Sequence, residues 1–153
     1  MDSTADVLDA YPDAQVCAIQ FRSFGARAFS GPVATVRCHE DNVLLRRRVE
    51  EPGDARVLVV DGGGSFRCAL LGDAIAGLAL RNGWAGLVVN GCVRDAATLA
   101  GLDLGVKALG TNPRPSRKQG AGGADVPVRF GGVTFRPGAT LYADDDGVVV
   151  VPA

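Results

Sequence analysis

The sequence holds a single histidine, four cysteines with no two in a C-x-x-C pair, and no apolar run near the ~20 residues that would span a bilayer. Each scarcity closes a route. With His39 as the sole imidazole and no metal-ligand spacing among the cysteines, the sequence carries no signature of a tetrahedral zinc site. Histidine base catalysis would rest on that one residue, in a polar stretch (HEDN) that reads as a solvated loop. Cys17, Cys38, Cys68 and Cys92 read as free, reduced thiols, most of them buried. Neither charge dominates: 16 basic and 17 acidic residues give a net charge of −1, without the basic excess of a general nucleic-acid binder. The opening MDSTADVLDAYPDA is acidic and polar rather than a secretory signal. The expected setting is cytoplasmic, with no membrane and no direct nucleic-acid partner.

A length of 153 residues suits one domain over 1–153, which buries roughly 70% of its unfolded surface. A hydrophobic content of 47% supplies the core. Helices are expected over residues 3–11, capped by Ser3 or Thr4, from a cap at Asp41 or Asn42 to Glu50, and from Asp73 to Asn82 before a Gly83 stop. Thr98–Ala100 fits one further helical turn. Strands are expected at Gln15–Phe21, in VATVRC, at Val57–Val60, Leu87–Asn90 and Val106–Leu109, then at 126–130, 133–135, 140–143 and 148–151. TNPRPSRKQGAGGAD reads as an exposed loop. Helices alternate with strands in the middle and β-structure dominates the end. The fold class is therefore α/β, with a central mixed sheet or barrel.

The densest chemistry lies in Gly72-Asp73, then twenty residues, then Arg94-Asp95. The intervening sequence is one amphipathic helix and one very apolar strand. Asp73 thus starts a helix, and Arg94-Asp95 follow the C-terminal end of the next strand. Both fall on the sheet edge where α/β proteins bind ligands. Two aspartates and an arginine beside free helix amides suit a divalent metal together with an anionic substrate. Taken singly, each has a plainer role: Asp73 caps its helix, Asp95 caps the AATLA turn, and Arg94 forms a surface ion pair.

The run from LLGDAIAGLALRNGWAGLVVNGCVRD to GGVTFRPGATLYADDDGVVVVP resembles the RraA-like family, over about Ala5 to Pro152. That family includes 4-hydroxy-4-methyl-2-oxoglutarate aldolases with oxaloacetate decarboxylase side activity, and the regulator of ribonuclease activity A. Asp-x20-Arg-Asp within GWAGLVVNG and YADDDGVVVVP contexts is its aldolase signature. The resemblance implies a β/α domain of the swivelling phosphohistidine-domain type, assembled as a homotrimer. It implies a small α-keto acid substrate and Mg²⁺ or Mn²⁺ as cofactor. Asp95 becomes the metal ligand, and Arg94 stabilises the pyruvate enolate. Asp73 supports the metal's water shell, and the substrate carboxylate meets the turn of Gly72, Asp73, Ala74 and Ile75.

No lysine lies in these motifs to form a Schiff base, since Lys107 and Lys118 fall elsewhere. That favours a metal-dependent aldolase. Longer aldolases of the family carry a C-terminal extension whose acid reaches a neighbouring subunit's site. The sequence here runs to Ala153, directly after VVVVP, so that acid is unassigned. Asp144, Asp145 and Asp146 are candidates only in principle, because Asp146-Gly147 is a hairpin-turn signal. The alternative reading is a non-enzymatic regulator that binds and inhibits an RNA-degrading endonuclease. Regulator members lack the acid after the arginine, whereas Asp95 is present. A methyltransferase reading rests on VLVVDGGGS, but no G-x-G-x-x-G leading into a helix accompanies it.

Overall fold

The computed structural model describes residues 2–153. In chain order the elements are α1 (Thr4–Ala10), β1 (Gln15–Val16), β2 (Arg22–Phe24), β3 (Phe29–Arg37), α2 (Val43–Glu50), β4 (Val57–Asp61), β5 (Ala69–Leu71), α3 (Asp73–Arg81), β6 (Gly86–Val93), α4 (Ala96–Ala100), β7 (Gly105–Thr111), β8 (Gly123–Ala124), β9 (Val128–Phe130), β10 (Val133–Phe135), β11 (Thr140–Asp144) and β12 (Gly147–Val151). The main sheet runs β1-β12-β11-β3-β4-β6-β7-β2, with β5 added to β6 and β8 to β3. Its centre, β3-β4-β6-β7, is parallel, and its flanks are antiparallel. It is the expected mixed sheet, curled as a half-barrel.

The central strands are apolar without alternation because both of their faces are covered. Leu58 and Val60 of β4 join Leu87 and Val89 of β6 under the helices, against Leu45, Val49, Ile75, Ala76 and Leu99. Val57, Val59 and Val88 point the other way, into Val128, Phe130, Val133 and Phe135 of the β9–β10 hairpin and into Leu141 and Val148. All four cysteines are free and buried. Burial pushes the Cys38 thiol up to about 12, aided by the charges of Asp41 and Asp61. Among the described residues no helix is long and apolar enough to cross a membrane.

The expected strand Gln15–Phe21 is divided. Only Gln15–Val16 pair with β12, and the chain then leaves the sheet. The Cys17 and Ala18 N–H groups donate to the carbonyls of Val148 and Gly131. Cys17, Ile19 and Phe21 fill the second core cluster. Pairing resumes with Arg22–Phe24 on the opposite sheet edge. The strand expected from Val126 begins at Val128, because the Val126 carbonyl accepts the Thr35 hydroxyl. Asp144 and Gly147 pair across a two-residue turn, so the hairpin expected at Asp146-Gly147 is present. Asp144 is spent on the N-terminus of α1, accepting from the N–H and hydroxyl of Thr4, both at 2.8 Å.

Sheet pairing also makes the candidate site. β4 ends at Asp61, and β5 takes over beside β6 through a register shift. Gly72 therefore leaves β5 next to where Arg94 leaves β6. The Arg94 N–H donates to the Leu71 carbonyl at 2.9 Å.

Candidate active site

Gly72, Asp73, Ala74, Ile75, Arg94 and Asp95 line one cleft of about 220 Å³ on the C-terminal edge of the parallel strands. The structure thus brings together every residue that the sequence pattern singled out. Two of the plainer readings fail. Asp95 occupies the N-cap position of α4 in a left-handed conformation (φ 59°, ψ 42°) and makes no capping hydrogen bond there. Its Oδ2 instead accepts the Asp73 N–H at 2.9 Å, at the start of a different helix. Asp73 is likewise no cap: Gly72 holds the N-cap position of α3, and Asp73 is the first helical residue.

This cross-helix bond has an electrostatic consequence. The Asp73 N–H holds the Asp95 carboxyl below its usual value, helped by the Asp73 side chain and the Arg94 charge against partial desolvation. Asp95 is therefore an exposed carboxylate that stays ionised. The next two amides of α3, at Ala74 and Ile75, have no intrahelical partner by position, and both residues line the cleft. The guanidinium of Arg94 reaches the Pro113 carbonyl at 3.5 Å and forms no ion pair among the described residues.

The donor set suits a hard cation that keeps its water. No group of three or more His, Cys, Asp or Glu side chains converges among the described residues. What the cleft offers is the adjacent carboxylates of Asp73 and Asp95, and Mg²⁺ is commonly held by one or two carboxylates plus water and substrate oxygens.

Asn42, Arg46, Ser116 and Lys118 also line the cleft. The sequence pattern offers Asn42 only as a helix cap and places Lys118 away from the site. The structure corrects the second point, so the placing of the lysines no longer argues for a metal-dependent aldolase. The signal for these cleft residues was present in the polar pair Asp41-Asn42 ahead of a helix and in the basic PRPSRK loop, which follows a strand on the same sheet edge. The Asn42 side chain does not cap α2. Its Nδ2 donates to the Leu70 carbonyl at 3.0 Å, and its Oδ1 accepts from Lys118 Nζ at 3.2 Å. Asp41, 2% exposed, accepts the N–H groups of Val43 (3.1 Å), Gln119 (2.7 Å) and Gly120 (3.1 Å to Oδ2). Burial pushes its carboxyl up, but these N–H groups and that of Ala121 outweigh it and hold it low. Glu40 accepts from Ser65 Oγ at 2.6 Å, Arg67 Nε at 2.7 Å and Arg117 Nη2 at 3.3 Å. The hydrogen bonds from Ser65 and Arg67 bring its carboxyl down to about 2. Residues 40–42 thus strap the 112–122 loop over the cleft. His39 is half exposed, as expected of a loop histidine.

The RraA-like family, described as Aldolase/RraA, matches residues 4–150. Three solved structures superpose over 99% of the chain. An S-adenosylmethionine:2-dimethylmenaquinone methyltransferase from Geobacillus kaustophilus HTA426 is 51% identical, with a TM-score of 0.95 over 95% of its own length. The RNA-processing inhibitor RraA from Thermus thermophilis is 45% identical, at 0.97 and 93%. RraAS2 of Streptomyces coelicolor, an unusual member of the RNase ES inhibitor RraA protein family, is 32% identical, at 0.79 and 81%.

Proposed function

The chain belongs to the RraA-like family, and from that premise we propose that it is a divalent-metal-dependent carbon–carbon lyase acting on α-keto acids. The substrate is 4-hydroxy-4-methyl-2-oxoglutarate, cleaved to two pyruvates, with decarboxylation of oxaloacetate as a side reaction through the same enolate. One observation carries the reading. The Asp95 carboxylate turns away from its own helix and stands ionised beside Arg94, at the open N-terminus of α3.

Asp95, supported by Asp73, would hold Mg²⁺ or Mn²⁺. Such a cation polarises the keto group and offsets charge that develops on its oxygen. The amides of Ala74 and Ile75, at the positive end of α3, receive the C1 carboxylate of the substrate. A water acting as base takes the C4 hydroxyl proton. The C3–C4 bond breaks, C4 becomes a carbonyl, and the electron pair passes into the enolate of the departing pyruvate. Arg94 faces the enolate oxygen with a charge that persists at any working pH. Protonation at C3 completes the second pyruvate. Oxaloacetate yields the same enolate by releasing its distal carboxylate as CO₂. Homotrimer assembly, which the family resemblance implies, belongs to this reading.

The test is pyruvate release from both substrates by purified protein, with Mg²⁺, with chelator and in Asp95→Ala. Metal-dependent release that the substitution abolishes supports the lyase. Release no faster than free metal alone, from folded and metal-loaded protein, overturns it.

The likeness to the Thermus RNA-processing inhibitor favours a second role, as an inhibitor of an RNA-degrading endonuclease. A ribonuclease assay titrated with wild type and with Asp95→Ala separates the two, since a docking surface need not depend on that carboxylate. The likeness to the Geobacillus methyltransferase carries less weight for this chain. Gly62–Ser65 lead from β4 into β5 rather than into a helix, so the glycine loop presents no helix N-terminus to a nucleotide.

A further inference from the structure

Lys118 stands on the Asn42 side of the cleft, in the 112–122 loop. It forms no ion pair among the described residues, like Arg94 in the same cleft and unlike Arg46, Arg67 and Arg117. Arg46 pairs with Glu50 at 3.2 Å, and Arg67 and Arg117 both pair with Glu40. Nor does Lys118 hang free. Its Nζ is fixed on Asn42 Oδ1, and Asn42 is fixed on the Leu70 carbonyl. The Asn42 N–H also donates to the Arg117 carbonyl, one residue before Lys118, and Asp41 grips the amides just after it. Five hydrogen bonds therefore place an ammonium that lacks an ion-pair partner at the edge of the cleft. Arg94 and the α3 amides serve the keto-acid end, which leaves Lys118 without a task in the reaction described above.

We infer that Lys118 is the specificity-determining residue for a second carboxylate, and that Asn42 and Asp41 position it. The site then selects dicarboxylic keto acids that keep this distal carboxylate through the reaction. The inference rests on the lyase reading for its substrate class. It also has a chemical corollary. In 4-hydroxy-4-methyl-2-oxoglutarate the C5 carboxylate survives in the product, so a cation can grip it throughout cleavage. In oxaloacetate the distal carboxylate is the group that leaves as CO₂, and a cation holding its negative charge would oppose that loss. Lys118 therefore favours aldol cleavage over decarboxylation.

The test compares wild type with Lys118→Gln on three substrates with Mg²⁺: 4-hydroxy-4-methyl-2-oxoglutarate, 4-hydroxy-2-oxopentanoate (the same skeleton without the distal carboxylate) and oxaloacetate. The expected result is a fall of about 10- to 100-fold in kcat/KM for the first, the scale of one lost charge-assisted hydrogen bond, with the other two within about threefold. Lys118→Arg should restore much of the loss. An equal fall on all three, or no fall on the first, overturns the inference. Calorimetric binding of 2-oxoglutarate against 2-oxopentanoate keeps the two readings apart. If wild type turns over neither aldol substrate yet prefers 2-oxoglutarate through Lys118, the lyase reading falls and the subsite stands. If turnover is normal and the substitution leaves the preference for 2-oxoglutarate intact, the subsite falls and the lyase stands. If wild type neither turns over nor prefers 2-oxoglutarate, both fall.

Discussion

Gly72 and Asp95 are fitted to one another: a methyl group at Gly72 would overlap Oδ2 of Asp95 and press on Cγ of Arg94. That same Oδ2 accepts the Asp73 N–H. The end of β5 and the end of β6 can approach this closely only because one of the two residues there has no side chain. The geometry of three candidate functional residues thus depends on a fourth that contributes no functional group.

Gly72→Ala tests that dependence. The backbone at Gly72 is extended (φ −140°), which any residue adopts, so the penalty is steric rather than conformational. The added methyl group displaces the Asp95 carboxylate and the Arg94 stem. Misplacement on the scale of 1 Å lowers turnover about 100-fold, and overpacking lowers stability by about 1–3 kcal/mol. Steady-state pyruvate release and urea unfolding measure the two effects. Turnover within a few-fold of wild type would show that the position of Asp95 is unimportant.

Asp95 separates charge from conformation through two substitutions. Its left-handed backbone suits asparagine and strains alanine. Asp95→Asn keeps an oxygen for the Asp73 N–H and removes the charge. It should keep the wild-type melting temperature and lose metal-dependent activity. Asp95→Ala should lose both. Equal melting temperatures for the two variants would argue against any structural part for this residue, and an active Asp95→Asn would sink the ligand role.

The helix after Gly72 and the strand before Arg94 are legible in sequence because each is a local pattern: an amphipathic repeat closed by Gly83 at φ 81°, then an unbroken apolar run. Their order also puts Asp73 and Arg94-Asp95 on one sheet edge. What the pattern cannot carry is pairing between distant segments. Gln15–Phe21 divides because its partners come from β12 on one edge and β7 on the other. Residues 111–125 read as an open loop by composition, yet Asp41 and Glu40 hold them from more than seventy residues away. Asn42 and Lys118 reach the cleft by that route. No local signal announces that a buried aspartate ahead of one helix will organise a loop after a strand on the far side of the sheet.

Asp41→Asn should therefore act in two places. The asparagine oxygen replaces only part of the acceptor set, and its amide N–H groups face donors on Gln119 and Gly120. The expected loss of stability is about 1–3 kcal/mol, with an unchanged denaturant slope in urea. The loosened loop should also raise KM for 4-hydroxy-4-methyl-2-oxoglutarate more than for 4-hydroxy-2-oxopentanoate. A stability change with no such difference would assign Asp41 to the fold alone.

Glu40 sets a pH dependence whose sign follows from its partners. Ser65 and Arg67 lower its carboxyl from an ordinary 4.5 to about 2. A carboxylate lowered in the folded state binds fewer protons there than in the unfolded chain. Its contribution to stability is thus complete above about 4.5 and is lost as pH falls towards 2. Glu40→Gln lacks the titration, while Asp41, Asp95 and Asp144 titrate in both proteins. The gap in stability between wild type and variant, read from urea unfolding at successive pH values, should be constant from pH 7 to about 5 and close between about 4.5 and 2. A gap that persists unchanged to pH 2 would mean that Glu40 holds the loop by packing and not by charge. Arg67 and Arg117 would then be surface cations rather than part of the strap that places Lys118.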